Sequence, residues 1–173
     1  MALLQVLKFP NPVLKQKSLP VTRFDADLRA LAASMLETMY TEGGIGLASP
    51  QVGQLKRLIV VDVRDGEGEE EVEKRHPVVL VNPRILSRSG EMTTEEGCLS
   101  VEDFTAEITR ARCIEVEYQT PRGEPRRESL EDIKAVCVQH ELDHLDGKLF
   151  IDRLPPLKRQ MVRKRLAKLA RSA

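Results

Sequence analysis

The stretch from Ala135 to His144 constrains this chain more than any other part of its sequence. On a helix, Ile133, Cys137, His140 and His144 fall within about 60° of one another, while Ala135, Val138 and Leu142 cover the opposite side. A helix that is apolar on both sides belongs in an interior. Two imidazoles and a carboxylate buried there each need a partner, because an unpaired buried polar group is costly. One divalent ion would satisfy both imidazoles, since His140 and His144 stand one turn apart on one face. Glu141, next to the first histidine, would sit at the edge of such a site and could take a proton from water activated by the ion. The competing reading is a pair of histidines hydrogen-bonded within a core.

A third ligand would decide the type of site. Zincin proteases with the His-Glu-x-x-His pattern take theirs downstream, but no His, Cys or Glu follows His144 here, and only Asp146 and Asp152 are acidic. His76 lies upstream beside Pro77 in a loop-like segment. That leaves three thiols. Cys98 lies in Glu95-Glu96-Gly97-Cys98-Leu99-Ser100, where Gly97 lets the backbone approach another group closely. Cys113 opens a strand and reads as a core residue. Cys137 shares the histidine face, either as a ligand or as a small lining residue.

Composition narrows the class. At 173 residues one domain, 1–173, is expected. Lys plus Arg (27) balances Asp plus Glu (27), which argues against a wholly basic nucleic-acid binder. Aromatic residues at 3%, with no Trp, leave no base-stacking platform. No apolar run is long enough to span a bilayer, and the N-terminus does not read as an export signal. An odd number of cysteines, three, then fits reduced thiols in a cytoplasmic protein better than a disulfide framework.

The remaining pattern is that of an α+β fold. Residues 25–42 read as a helix capped by Asp25, with Leu28, Leu31, Met35, Leu36, Met39 and Tyr40 on one face. Leu58–Val61 and Val78–Val81 are short β-branched runs expected as buried strands, and Ile114–Tyr118 alternates as a half-exposed strand. The acidic stretch Asp65–Glu73 reads as a solvated hairpin loop, with docking of a basic partner as the alternative. Ser129 and Asp132 resemble a capping box and predict that the motif helix begins near Ser129. It should run to about Asp146, with Gly147 just beyond its end. After Leu154-Pro155-Pro156 a last helix is expected over 157–170.

Three separated motifs, in order, resemble the peptide deformylase family: Gly44-Ile45-Gly46-Leu47-Ala48-Ser49-Pro50-Gln51, Glu96-Gly97-Cys98-Leu99-Ser100 and Gln139-His140-Glu141-Leu142-Asp143-His144. The similarity runs from Phe9-Pro10-Asn11-Pro12 to Phe150-Ile151-Asp152-Arg153-Leu154. It implies antiparallel strands wrapped around the motif helix, with an N-terminal helix and a basic C-terminal helix. It also implies removal of the formyl group from formyl-methionyl nascent peptides, releasing formate. Carried over by position, Cys98, His140 and His144 would hold one divalent ion, and Glu141 would be the general base and acid. Gln51, through its amide, and Leu99, through its backbone N–H, would stabilise the oxyanion. Gly44, Ile45 and Gly46 would hold the peptide as an added strand, with Ile45 and Cys137 contributing to the methionine pocket.

Fe(II) is the expected ion, with Zn(II), Ni(II) and Co(II) also compatible with a Cys-His-His donor set. Asp143, Arg110 and Glu96 are expected to pair and lock the helix against the strands. Two positions depart from the family pattern: Ser49 replaces a second Ala, and Glu102 replaces a Pro. Residues 154–173 carry seven Lys or Arg and no acidic residue. They read either as a solvated helix or, by the resemblance, as a contact to ribosomal RNA near the exit tunnel. A metallopeptidase and a non-catalytic module with a structural metal are the competing readings; no membrane partner is expected.

Overall fold

In the computed structural model, which describes residues 2–64 and 75–172, three α-helices and seven strands follow in order. They are α1 (Ala26–Thr41), β1 (Gly46–Ala48), β2 (Leu58–Val61), β3 (Val78–Ser89), β4 (Met92–Cys98), β5 (Val101–Arg110), β6 (Cys113–Gln119), β7 (Pro125–Glu131), α2 (Asp132–Leu145) and α3 (Pro156–Ser172). Five strands form one antiparallel sheet in the order β1-β2-β3-β6-β7, and β4 and β5 pair as a separate hairpin. The acidic segment Asp65–Glu73, read as a hairpin loop, lies outside the described residues. No described helix is long and apolar enough to cross a membrane.

The four β-branched or leucine residues of β2 are all buried because each face of the strand serves a different core. Ile59 and Val61 pack with Leu80, Val116, Ala135, Val138 and Leu142 beneath α2. Leu58 and Val60 pack with Leu28, Met35, Met39 and Val81 beneath α1. Successive side chains of a strand point to opposite faces, so a continuous apolar run is what a strand sandwiched between two helices requires. The helix α2 is thereby covered by the sheet on one side. The β4–β5 hairpin and the 3-10 turn Phe150–Arg153 form a third core with Val101, Ile108, Leu149, Phe150 and Val162 of α3.

Local signals agree with several boundaries. Asp25 caps α1 by accepting from the Leu28 N–H at 3.0 Å, and Gly147 takes φ +74° just past the end of α2. The start of α2 differs from expectation. Ser129 lies within β7, and the cap residue Glu131 makes no side-chain capping bond. Sheet pairing overrides the local capping signal: Ser129 is opposite Glu115 and Leu130 opposite Ile114. Asp132 then turns the chain from strand to helix at φ +57°.

The basic helix α3 is fixed along one strip, with Val162 buried and Arg163 paired to Asp152. Leu157, Met161 and Leu169 remain exposed.

Candidate metal centre and active site

Cys98 stands at the end of β4, where Cys98 pairs with Val101 and leaves Leu99 and Ser100 as a two-residue turn. This tight turn presents the thiol to α2. One donor atom each from Cys98, His140 and His144 lie within 4.8 Å of one another, and Cys98 Sγ is 3.4 Å from His144 Nε2. Sulfur and nitrogen ligands around a tetrahedral ion stand roughly 3.3–3.6 Å apart, the separation Cys98 Sγ and His144 Nε2 have, and all three donors lie close enough to reach one ion. His140 presents Nε2, because its Nδ1 is 2.8 Å from Glu96 Oε1. Two buried polar atoms beside the cluster, His144 Nδ1 and Glu141 Oε2, have no hydrogen-bond partner among the described residues. A soft thiolate and two imidazoles, with polar atoms unsatisfied around them, fit a divalent transition metal.

The three thiols separate clearly. Burial pushes the Cys98 thiol up, but the imidazoles of His144 and His140 outweigh it and hold Cys98 well below the usual thiol value. Burial and the neighbouring Glu141 push Cys137 well above it, and its Sγ points to the Ile45 carbonyl at 3.6 Å. Cys137 is a neutral lining residue. Cys113 lies at the start of β6, outside the cluster.

A cavity of about 410 Å³ opens over the cluster between β1, β4 and α2. Gly44, Ile45 and Gly46 form one wall, Glu96, Gly97, Cys98 and Leu99 another, and Cys137, His140 and Glu141 the floor. Gly46 is required here, since a Cβ would stand 2.9 Å from Cys137 Sγ and 3.0 Å from Glu141 Cγ. Glu141 is buried, with Oε1 3.8 Å from His140 Nε2. Burial raises its carboxyl above the ordinary value, and the two histidines partly offset that.

Gln51 sits in the 3-10 turn Ser49–Val52 that follows β1, and its amide is oriented at both ends. Its Oε1 accepts from the Ala48 N–H at 2.9 Å, while its Nε2 donates to Ser100 Oγ at 3.1 Å and lies 3.5 Å from Cys98 Sγ. Leu99 places its side chain in the cavity wall, and its carbonyl accepts from Lys8 Nζ at 2.6 Å. Ser49 is fully buried, and its hydroxyl donates to the Gln54 carbonyl at 2.6 Å. Glu102 is exposed and paired with Lys8 at 3.1 Å.

The expected trio behind the site is assembled, with one member more than the sequence reading named. Arg110 donates to Glu96 through Nε (2.6 Å) and Nη2 (3.0 Å), and to Asp143 through Nη1 (2.9 Å). Arg153 grips the same Asp143 at 2.6 and 3.0 Å. A continuous chain therefore runs from Arg153 through Asp143, Arg110 and Glu96 to His140. Burial opposes ionisation of both carboxyls, yet both are held below their ordinary values. Glu96 owes this to His140 and Arg110, and Asp143 to Arg153 and Arg110. Phe150 packs its ring near-parallel to His140, 6.0 Å between centroids.

Ser100, Phe150 and Arg153 stand in the sequence only as members of family-like stretches with no role assigned, and Lys8 carries no signal at all. Only the strand phase offered a hint: Ala106, Ile108 and Arg110 share the buried face of β5, which marks Arg110 as inward-pointing. Arg110→Ala would leave two buried carboxylates with one partner each, Glu96 with His140 and Asp143 with Arg153. It is expected to cost about 3–5 kcal/mol in thermal or urea unfolding and to weaken Zn(II) or Co(II) binding about 10–100-fold in chelator competition. Parental values in both measurements would remove any role for the chain of ion pairs.

Comparison with known proteins agrees with this geometry. Residues 3–160 match the family model described as Polypeptide deformylase. A peptide deformylase of Alkalilimnicola ehrlichii is 47% identical over 99% of this chain and 93% of that protein. "Peptide deformylase 2" of Xanthomonas campestris pv. campestris is 48% identical over 98% and 97% respectively. The crystal structure of a Legionella pneumophila peptide deformylase superposes with a TM-score of 0.87 at 40% identity, covering 98% of this chain and 96% of that one. The peptide deformylase of Thermus thermophilus gives 0.87 at 39% identity, with 99% of each chain covered. With motif, fold and full-length similarity in agreement, the chain belongs to the peptide deformylase family.

Proposed function

We propose that this chain hydrolyses the N-formyl group of formyl-methionyl nascent peptides in the cytoplasm, with Cys98, His140 and His144 holding one divalent ion, Fe(II) in the native protein. The observation that carries this reading is the Cys98–His140–His144 cluster, with Cys98 and His140 lining a cavity walled by β1, which is an edge strand of its sheet. A free strand edge accepts an extended peptide through main-chain hydrogen bonds, with little regard for its side chains. That suits an activity on nascent chains of every sequence. The methionine side chain enters the cavity against Ile45, Val136 and Cys137.

An ion bound there supplies Lewis acidity, making water nucleophilic near neutral pH. The protein's own groups do the rest. Glu141, with one carboxylate oxygen unpartnered and its proton affinity raised by burial, accepts the proton of the attacking water. It then returns that proton to the departing amine, which must leave as a neutral base or ammonium. The Gln51 amide is fixed by Ala48 and Ser100 before substrate arrives, so its Nε2–H can meet the developing oxyanion without reorganisation. The backbone N–H of Leu99, at the tip of the tight turn, adds a second donor. Arg110, Glu96, Asp143 and Arg153 hold His140 in place, with Glu96 fixing which ring nitrogen faces the ion.

Formate release from formyl-Met-Ala-Ser by protein loaded anaerobically with Fe(II) tests the reading. Glu141→Ala carrying the same metal should release none. Gln51→Ala should lose on the order of 10²–10³ in kcat. A folded, metal-loaded parent that releases no formate would sink the proposal. Gly46→Ala, which drives a methyl group against Glu141, should lower turnover at least tenfold, by analogy with the cost of about 1 Å displacements at a reacting centre, while metal content stays at one per chain.

The basic helix α3 is proposed to contact ribosomal RNA near the exit tunnel. Its exposed strip combines Leu157, Met161 and Leu169 with Lys158, Lys164, Arg165 and Lys168. Removing residues 155–173 should weaken ribosome pelleting in a salt-dependent manner and leave turnover of formyl-Met-Ala-Ser within about twofold. Unchanged pelleting would count against this contact.

A further inference from the structure

A second and larger recess, about 850 Å³, lies against the face of α2 that carries Gln139, Asp143 and Asp146. It shares no lining residue with the cavity over the metal cluster. Its wall is cationic, and most of the cations are already engaged. Arg57 is paired with Asp146 at 3.2 Å, Arg84 with Glu117, and Arg110 with Glu96 and Asp143.

Two features leave this wall with donors and charge to spare. Asp143 serves two guanidiniums at once, those of Arg110 and Arg153, with Glu96 balancing the second charge. Arg153 uses Nε and Nη2 for that contact, so its Nη1 has no protein acceptor among the described residues. Arg88 and Lys148, which also line the recess, have no acidic partner among the described residues, against one unpaired carboxylate, Glu91.

The lining also limits the ligand. No aromatic residue borders the recess, so a base or sugar ring would find nothing to stack on. Guanidinium forks favour oxygens of phosphate geometry, and Lys supplies a compact point charge. A concave wall of about 850 Å³ suits a small ligand better than a nucleic-acid backbone. We propose that this recess is a binding site for a small, multiply charged oxyanion of the phosphate class, held by Arg88, Lys148 and the free Nη1 of Arg153.

The test is calorimetric titration of the metal-loaded protein with inorganic pyrophosphate, with metal content measured before and after because pyrophosphate chelates. Parallel titrations use Arg88→Gln/Lys148→Gln and, separately, protein saturated with the product peptide Met-Ala-Ser. Both substituted side chains are exposed, and neither borders the metal-site cavity, so turnover of formyl-Met-Ala-Ser should match the parent. The expected result is one site per chain, weakened at least tenfold by the double substitution, unaffected by Met-Ala-Ser and weakened by added salt. Equal binding by parent and variant would place the anion outside this recess, and loss of binding with Met-Ala-Ser would place it at the metal-site cavity; either would overturn the proposal. So would the absence of binding at millimolar pyrophosphate. Retention of a short RNA duplex without binding of pyrophosphate would make the recess part of an RNA surface and overturn it equally.

Discussion

The site depends on how a two-stranded hairpin is held against a helix from a different part of the chain. Cys98 belongs to β4, outside the five-stranded sheet, whereas His140 and His144 belong to α2. Arg110 joins them, with one end of its guanidinium on Glu96 of β4 and the other on Asp143 of α2. A hydrophobic contact would allow the hairpin to slide by fractions of an ångström at little cost. The two charge-assisted bonds that cross from hairpin to helix, Arg110 to Asp143 at 2.9 Å and Glu96 to His140 at 2.8 Å, do not, and Arg153 holds Asp143 from the other side. Such ion chains add little net stability over an apolar core. What this one contributes is a fixed distance between a thiolate and two imidazoles, which a metal centre requires and packing alone secures poorly.

Burial then assigns different chemistry to residues of one type. Cys98 and Cys137 both border the same cavity, yet one thiol is held well below its ordinary pKa and the other is pushed well above it. The difference lies in neighbours. Imidazoles flank Cys98, whereas a carboxylate and a peptide carbonyl flank Cys137. Glu96 and Glu141 divide in the same way. Glu96 faces His140 and Arg110 and is held below the ordinary carboxyl value, while Glu141 faces the open cavity with an oxygen to spare and is raised above it by burial.

Much of this was legible in the sequence. The two-sided apolarity around His140 and His144 placed the motif helix in the interior, and Leu58–Val61 announced a strand buried on both faces. The missing downstream ligand turned attention to the thiols, and the three-motif resemblance selected Cys98. What stayed hidden has physical reasons. The residues of β7, Pro125–Glu131, are almost all polar and carry no apolar alternation, so Ser129 looked like a helix cap when it was an edge-strand residue. Arg153 lies ten residues beyond Asp143, and nothing local links a surface-type residue in a 3-10 turn to a buried carboxylate. The double restraint on Gln51 arises from Ala48 and Ser100, the second of which is distant in sequence. Pairings of that kind belong to tertiary structure and leave no periodic trace.

The shortness of β1 has a further consequence. An open sheet edge invites pairing with any extended chain, including another copy of the same protein. Here the edge strand is only Gly46–Ala48, stopped at once by a 3-10 turn and a proline. Three residues offer roughly 10 Å of ladder, too little to nucleate a stack of molecules or to hold a long polypeptide. A visitor can be gripped only by its first few residues and must let go soon after. For a chain that meets its substrates end-first, brevity of contact sets a limit on dwell time, and with it on how many emerging termini one molecule can serve.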